Sequence, residues 1–279
     1  MTGNVFNSIK DGGFFPVQAL ESSSNSRLKE VINNFRVSLA MGTEKLYLDD
    51  PYKTEAEGTV QMVEFTDLTV DRSVFFPTSE GQPNDKGDVI IDGKKYMIVD
   101  SWIDGLWIHL MSLDTYPQDI KGKTVKQVIN WDIRYGHMRH RTALFILGGI
   151  AFRDYGCSIR VNQTYEDHAW IDVMVEDLTE EMVKKLETEA NEFVSSGLDV
   201  KTAYISKEEF ANDRRLVDFV RGKIPDYDKI RLTMIDGLPA MPDMGTQVRN
   251  TREVGKIVIK TTLVKGKINK RLVINLQQN

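Results

Sequence analysis

Cysteine is almost absent: Cys157 is the only one in 279 residues. That excludes an internal disulfide framework and a Cys-rich zinc module. No apolar run reaches the length of a membrane span, and the N-terminus lacks the charged-then-apolar pattern of a secretory signal. A cytoplasmic protein with no membrane partner is the expectation, in which Asn162-Gln163-Thr164 is a glycosylation sequon by pattern only. No G-x-x-x-x-G-K phosphate loop is present, so ATP-dependent chemistry has no support. Basic charge is not in excess either. The net charge of −5 argues against a bulk basic nucleic-acid binder. A local patch remains open: beyond Val254 stand Lys256, Lys260, Lys265, Lys267, Lys270 and Arg271, with no acid among them. Such a stretch reads either as a sheet edge blunted by lysine or as a phosphate-contacting surface.

With 41% hydrophobic and 28% charged residues, the chain can bury a core without covalent or metal staples. Its length suits one large or two ordinary domains. Residues 1–43 read as an extension, with turn signals at Asp11-Gly12-Gly13 and Ser22-Ser23-Ser24, and a short amphipathic helix between Arg27 and Leu39. From 44 to about 128 the pattern is β: short runs at Lys45–Leu48, Gly58–Phe65, Leu68–Phe75, Asp88–Ile91, Tyr96–Val99 and Leu106–Met111. Asp92-Gly93 and Asp104-Gly105 form tight turns between such runs. Several short strands with turn signals predict a small barrel. From about 129 to 279 the pattern mixes. One long helix is predicted from Trp131 to about Phe152, with Gly148-Gly149 permitting close packing. A second runs from about Thr179, its N-cap, to Ser195. Strands are expected at Ser158–Gln163, Ala169–Met174, Val200–Ile205, Ile230–Met234, Ile257–Val264 and Arg271–Leu276. Without a regular βαβ rhythm, the class is α+β.

Three segments carry a family resemblance. Asp71-Arg72-Ser73-Val74-Phe75-Phe76-Pro77-Thr78-Ser79-Glu80-Gly81-Gln82-Pro83-Asn84-Asp85-Lys86-Gly87 resembles the glycine-rich signature of AlaX proteins and of the editing half of alanyl-tRNA synthetase. Gly245-Thr246-Gln247-Val248-Arg249-Asn250-Thr251-Arg252-Glu253-Val254-Gly255 is similar to the closing motif of that family. Met138-Arg139-His140-Arg141-Thr142-Ala143-Leu144-Phe145 resembles its metal-bearing helix. The segments occur in family order, and the length suits the medium form. The resemblance implies a small N-terminal β-barrel followed by an alanyl/threonyl-tRNA-synthetase-type editing domain. It implies a trans-acting hydrolase that removes serine wrongly esterified to alanine tRNA, so aminoacyl-tRNA, and tRNA(Ala) in particular, is the expected partner. It also implies zinc, held by two helical histidines and a Cys/Asp-x-x-x-His pair. Histidines at i and i+4 share a helix face, so both reach one ion.

This chain departs from that ligand set. Arg141 and Phe145 stand at the two helical histidines, Asp243 at the Cys/Asp position and Gln247 at the last histidine. Met244 and Glu80 replace motif glycines. Arginine stays protonated and cannot ligate a metal, and phenylalanine has no donor atom. The expectation is therefore no conventional zinc, with Arg141 and Asp243 facing each other and Phe145 filling the apolar space. Arg141, Asp243 and a neutral His137 are the catalytic candidates. Ser73, at the family threonine that reads the substrate hydroxyl, is a substrate-binding candidate with Gln82 and Gln247. Lys265, Lys267, Lys270 and Arg271 are the candidates for tRNA contact. Asp85 reads as a turn-stabilising carboxylate. Two functions stay open: an aminoacyl-tRNA deacylase without zinc, and a binding module that keeps the editing fold without its chemistry.

Overall fold

The computed structural model describes residues 42–157, 159–264, 267–268 and 270–277. Residues 1–41 of the expected extension, its whole amphipathic helix included, lie outside these described residues, as does Lys265.

The first half builds a barrel. The chain enters through β1 (Glu44–Lys45) and a helical turn, Leu46–Asp49. A strand over Lys45–Leu48 was the expectation. Leu46 and Tyr47 are both buried, and a strand would have sent consecutive side chains to opposite faces. There follow β2 (Glu55–Glu64), β3 (Asp67–Val70), β4 (Arg72–Ser73), β5 (Gly87–Ile91), β6 (Lys94–Asp104), β7 (Trp107–Ser112) and β8 (Thr124–Ile129). Six of them close in the order β2-β3-β7-β6-β5-β8, every pair antiparallel. Closure leaves no open sheet edge. The single strand expected over Leu68–Phe75 is broken at Asp71, whose carboxylate accepts from the Thr59 amide at 2.7 Å. Asp92-Gly93 makes the β5–β6 turn with both residues at positive φ, +50° and +82°, as a type I′ hairpin requires.

The second half starts with α1 (Trp131–Tyr155). The Asn130 side chain caps it, accepting from the amides of Asp132 and Ile133, and Gly156 ends it in the left-handed region at φ +62°. From Met138 to Ala151 nearly every residue of α1 is buried. A helix apolar on one side only would not show this; α1 is covered all round. Beyond it come β9 (Ile159–Thr164), β10 (Ala169–Val173), α2 (Glu180–Ser196) and β11 (Lys201–Ser206). The Thr179 hydroxyl caps α2, accepting from the Met182 amide at 3.2 Å. Two short helices that the apolar pattern did not signal follow: α3 (Lys207–Asn212), opened by a Ser206/Glu209 capping box, and α4 (Arg214–Phe219). Then come β12 (Lys229–Met234), β13 (Met241–Pro242), a 3-10 turn at Thr251–Val254, β14 (Lys256–Lys260), β15 (Leu263–Val264), β16 (Lys267–Ile268) and β17 (Arg271–Gln277). One antiparallel sheet has the order β14-β17-β10-β9, and a second the order β11-β12-β13. Strand and helix segments thus form an α+β arrangement beside a closed barrel. Each half has its own main apolar core, one inside the barrel and one around α1, α2 and the four-stranded sheet, and a smaller cluster of Phe210, Leu216, Ile230 and Leu232 lies under α3 and α4.

Candidate functional site

The glycine-rich loop of the barrel lies along β9, the edge strand of the four-stranded sheet. The Thr164 amide donates to the Gly81 carbonyl at 2.8 Å. Gly81 has φ +75°, and a Cβ there would come within 2.3 Å of the Asn162 carbonyl oxygen. Glycine is required here on both counts. Asp85 then ties the loop to α1. Its carboxylate accepts from the Phe76 amide at 2.6 Å and from the Arg134 guanidinium, Nε at 2.9 Å and Nη2 also. Arg134 further donates to the carbonyls of Pro51 at 2.8 Å and Val74 at 2.6 Å. Both charged groups of the Arg134–Asp85 pair are fully buried. Asp85 is therefore more than a turn residue: it holds the helix to the barrel.

Seven residues further along the same face of α1 stands Arg141. Its Nη2 lies 2.5 Å from Asp243 Oδ1 and its Nε 3.1 Å from the same oxygen, while Nη1 donates to the Glu80 carbonyl of the barrel loop. Glu80 holds the left-handed conformation, φ +50°, in place of a family glycine. The Asp243 carboxylate also accepts from the Gly245 amide at 2.9 Å and from the Gln247 side-chain amide. Gln247 Oε1 in turn accepts from the Thr142 hydroxyl at 2.6 Å. Arg231 of β12, buried and not foreseen from the sequence, donates Nη1 to the carbonyls of Asp243 and Gly245 at 2.9 and 3.0 Å. Burial acts to raise the Asp243 pKa, but the Arg141 charge and hydrogen bonds, the Gly245 amide and the Arg231 charge outweigh it. The carboxyl titrates below its ordinary value, so it is ionised at neutral pH.

Arg141 and Asp243 line a cavity of about 130 Å³, together with Leu144, Phe145, Asn162 and Ile171. Phe219, Met241 and Pro242 extend its apolar wall. Ser73, Gln82, Gln247 and His137 are not among its lining residues. Ser73 is fully buried in the barrel, where its hydroxyl donates to Gln127 Oε1 at 2.8 Å and accepts from the Phe75 amide at 3.1 Å. Gln82 exchanges two hydrogen bonds with Thr246, at 2.9 and 3.1 Å. His137 has both ring nitrogens buried without a partner. Burial pushes its pKa down to about 4, and the leading charges acting on it are those of Asp85, His140, Arg134 and Lys86. Near the C-terminus Lys270 is exposed, whereas Arg271 is engaged: its guanidinium pairs with Asp172 at 2.7 and 2.9 Å and stacks 3.5 Å over the Trp170 ring.

The zinc implied by the resemblance can be tested against the donors present. Arg141 and Phe145 offer no ligand atom. Asp243 already receives N–H groups from Arg141, Gly245 and Gln247, and the Gln247 amide is turned with its donor toward Asp243. This donor set does not fit a zinc ion.

A closed antiparallel barrel whose glycine-rich loop meets a long helix and a four-stranded sheet is the α+β arrangement that the resemblance to tRNA-synthetase editing domains implies. No family model matches the chain. Known proteins do. An alanyl-tRNA editing protein AlaX-M from Methanosarcina mazei is 32% identical over 243 residues, covering 84% of this chain and 96% of that protein. The AlaX-M of Saccharolobus solfataricus is 30% identical, covering 82% and 97%. The alanine–tRNA ligase of Saccharolobus islandicus is 32% identical over 224 residues, which make up only 25% of that longer protein. The chain belongs to the AlaX-M family of alanyl-tRNA editing proteins.

Proposed function

We propose that the protein is an aminoacyl-tRNA editing hydrolase that works without zinc at the family position, with Arg141 as the group that stabilises the reacting ester. Support for editing comes from the AlaX-M relatives that match nearly end to end. Support for the role of Arg141 comes from its donor count. A guanidinium carries five N–H bonds. Nε and one N–H of Nη2 go to Asp243, and one N–H of Nη1 goes to the Glu80 carbonyl. One N–H on each Nη remains uncommitted, and Arg141 lines the cavity.

In the proposed reaction a water oxygen attacks the ester carbonyl, whose oxygen becomes an oxyanion facing those two N–H bonds. The ester C–O bond to the terminal ribose then breaks, and the proton of the water passes through solvent to the leaving ribose oxygen. The products are the free amino acid and uncharged tRNA. Asp243 is a poor base here, because its pKa is depressed and its oxygens are occupied. It acts as a positioning residue that fixes the guanidinium. Removing a preorganised oxyanion donor costs about 10²–10³ in rate. tRNA(Ala) as the carrier, and contacts from Lys265, Lys267, Lys270 and Arg271 to its phosphates, belong to the same proposal.

One observation favours a second reading, a binding module. Asp243 is occupied and His137 does not line the cavity, so among the described residues no side chain there is poised as a base. Deacylation of seryl-tRNA(Ala) by chelator-treated protein separates the two. Turnover that survives chelation and falls about 10²–10³-fold in Arg141→Gln supports the hydrolase. Binding of the charged tRNA without turnover, with and without zinc, supports the module. Turnover only on adding zinc defeats the proposed chemistry.

A further inference from the structure

Asn162, on β9, has no role in the proposal above. It lines the cavity with Arg141 and Asp243, and its Oδ1 is buried without a hydrogen-bond partner. A buried unpaired acceptor is costly in a finished protein and is expected where a ligand completes it. Asp243 is the other acceptor side chain among the described lining residues, and its oxygens already take N–H groups from Arg141, Gly245 and Gln247. Asn162 therefore offers the uncommitted side-chain acceptor among the described lining residues.

Among the described lining residues, Leu144, Phe145, Ile171 and Met241 are buried apolar side chains, and Phe219 adds a further ring. Ser73, the residue expected to read a substrate hydroxyl, spends its donor on Gln127 and its acceptor on Phe75. With an aminoacyl amine on Asn162 and its carbonyl on Arg141, a side-chain hydroxyl seated among these apolar residues would be left unpaired, at a cost. An alkyl group would be buried at a gain. The volume, about 130 Å³, is close to that of a cavity that takes up benzene, about 150 Å³.

From this we infer that the cavity receives a branched aliphatic aminoacyl group of about the size of valyl, with its α-amino group donating to Asn162 Oδ1 and its carbonyl toward Arg141. The inference rests on the reading of the site as an aminoacyl-ester site and narrows its substrate class. It makes Asn162 a specificity residue and disfavours the serine that the family resemblance implies.

The test uses hydrolysis-resistant probes, 3′-amino-3′-deoxyadenosine carrying a valyl, seryl or 3-methylbutanoyl group in amide linkage, titrated calorimetrically into the full chain. The valyl probe is expected to bind about tenfold tighter than the seryl probe. The 3-methylbutanoyl probe lacks only the amine and is expected to bind about tenfold more weakly than valyl. In Asn162→Leu that second difference should shrink below about twofold, while affinity for the 3-methylbutanoyl probe is retained. This pattern is one that a merely structural role of Asn162 would not produce. The comparison among probes on the unaltered protein stands even if the variant does not fold. Seryl binding as tight as valyl overturns the inference and leaves the aminoacyl-ester reading intact, and so does an amine dependence that persists in Asn162→Leu. No binding of any probe overturns both.

Discussion

Two arginines project from one face of α1, seven residues and about 10 Å apart, and each meets an aspartate. Arg134 is sealed. It shares none of its surface with solvent and commits four of its five N–H bonds, to Asp85 and to the carbonyls of Pro51 and Val74. Arg141 is open. It commits three, to Asp243 and Glu80, keeps two uncommitted, and lines a cavity. Similar chemistry thus serves two ends. A buried ion pair with its donors used up fixes the position of a helix against a barrel. An ion pair with donors to spare leaves part of a cation uncommitted, as the proposed function requires.

If that contrast is right, the two pairs fail differently. Asp85→Ala leaves the Arg134 charge buried and uncompensated, and should cost about 3–5 kcal/mol of folding stability, read as a lowered urea midpoint. Asp243→Ala should cost less than Asp85→Ala, because its partner reaches the cavity. Equal losses in the two would erase the distinction between sealed and open pairs. Arg141→Gln should reverse the order, with deacylation down about 10²–10³-fold and a smaller change in the urea midpoint. Gly245→Ala sharpens the comparison. An added Cβ would lie 2.6 Å from Arg141 Nε and 2.9 Å from Gln82 Oε1, and overpacking of this kind costs about 1–3 kcal/mol. Activity should fall with it, because the guanidinium has to move.

The smallest effect concerns His137, which lies between the two arginines on α1. Its ring stays neutral in the folded protein down to about pH 4, whereas in the unfolded chain it takes up a proton near pH 6.5. The unfolded state then binds more protons between these values, so this residue withdraws stability as pH falls from about 6.5 to about 4. His137→Phe removes two unpaired buried nitrogens, and should flatten the acid limb of a stability profile with deacylation at pH 7.5 unchanged. A large loss of turnover instead would restore His137 as a catalytic candidate.

Much of this was legible in the residues. Aspartate-glycine pairs marked the barrel turns, and the change of period at Trp131 marked α1. The pairing of Arg141 with Asp243 followed from charge: an arginine and an aspartate at positions that hold one ion in the family belong together. Other features left no such trace. The burial of Arg134 depends on the barrel lying against its side of α1, and nothing in Asp132-Ile133-Arg134-Tyr135 signals it. Asp85 looks like any turn aspartate. Asn162 was hidden inside a sequon. Ser73 was placed by its motif, but the side chain turns into the barrel because Gln127, remote in sequence, is its partner. The helices over 207–219 are too short for a periodic signal and rest on their caps.

The sealed pair has a consequence for how the molecule opens. Arg134 bonds to residues from three separate parts of the barrel half, and Tyr52, at the start of that half, bonds to Glu253 at 2.6 Å in the other. The two cores are therefore stitched together by partners that neither half can supply alone. Amide protons in β5 and in α1 should exchange with solvent through one common opening event, at similar free energies, rather than as two independent units. A protease sampling this protein would then meet both halves protected or both exposed, with no long-lived state in which the barrel persists after α1 has let go.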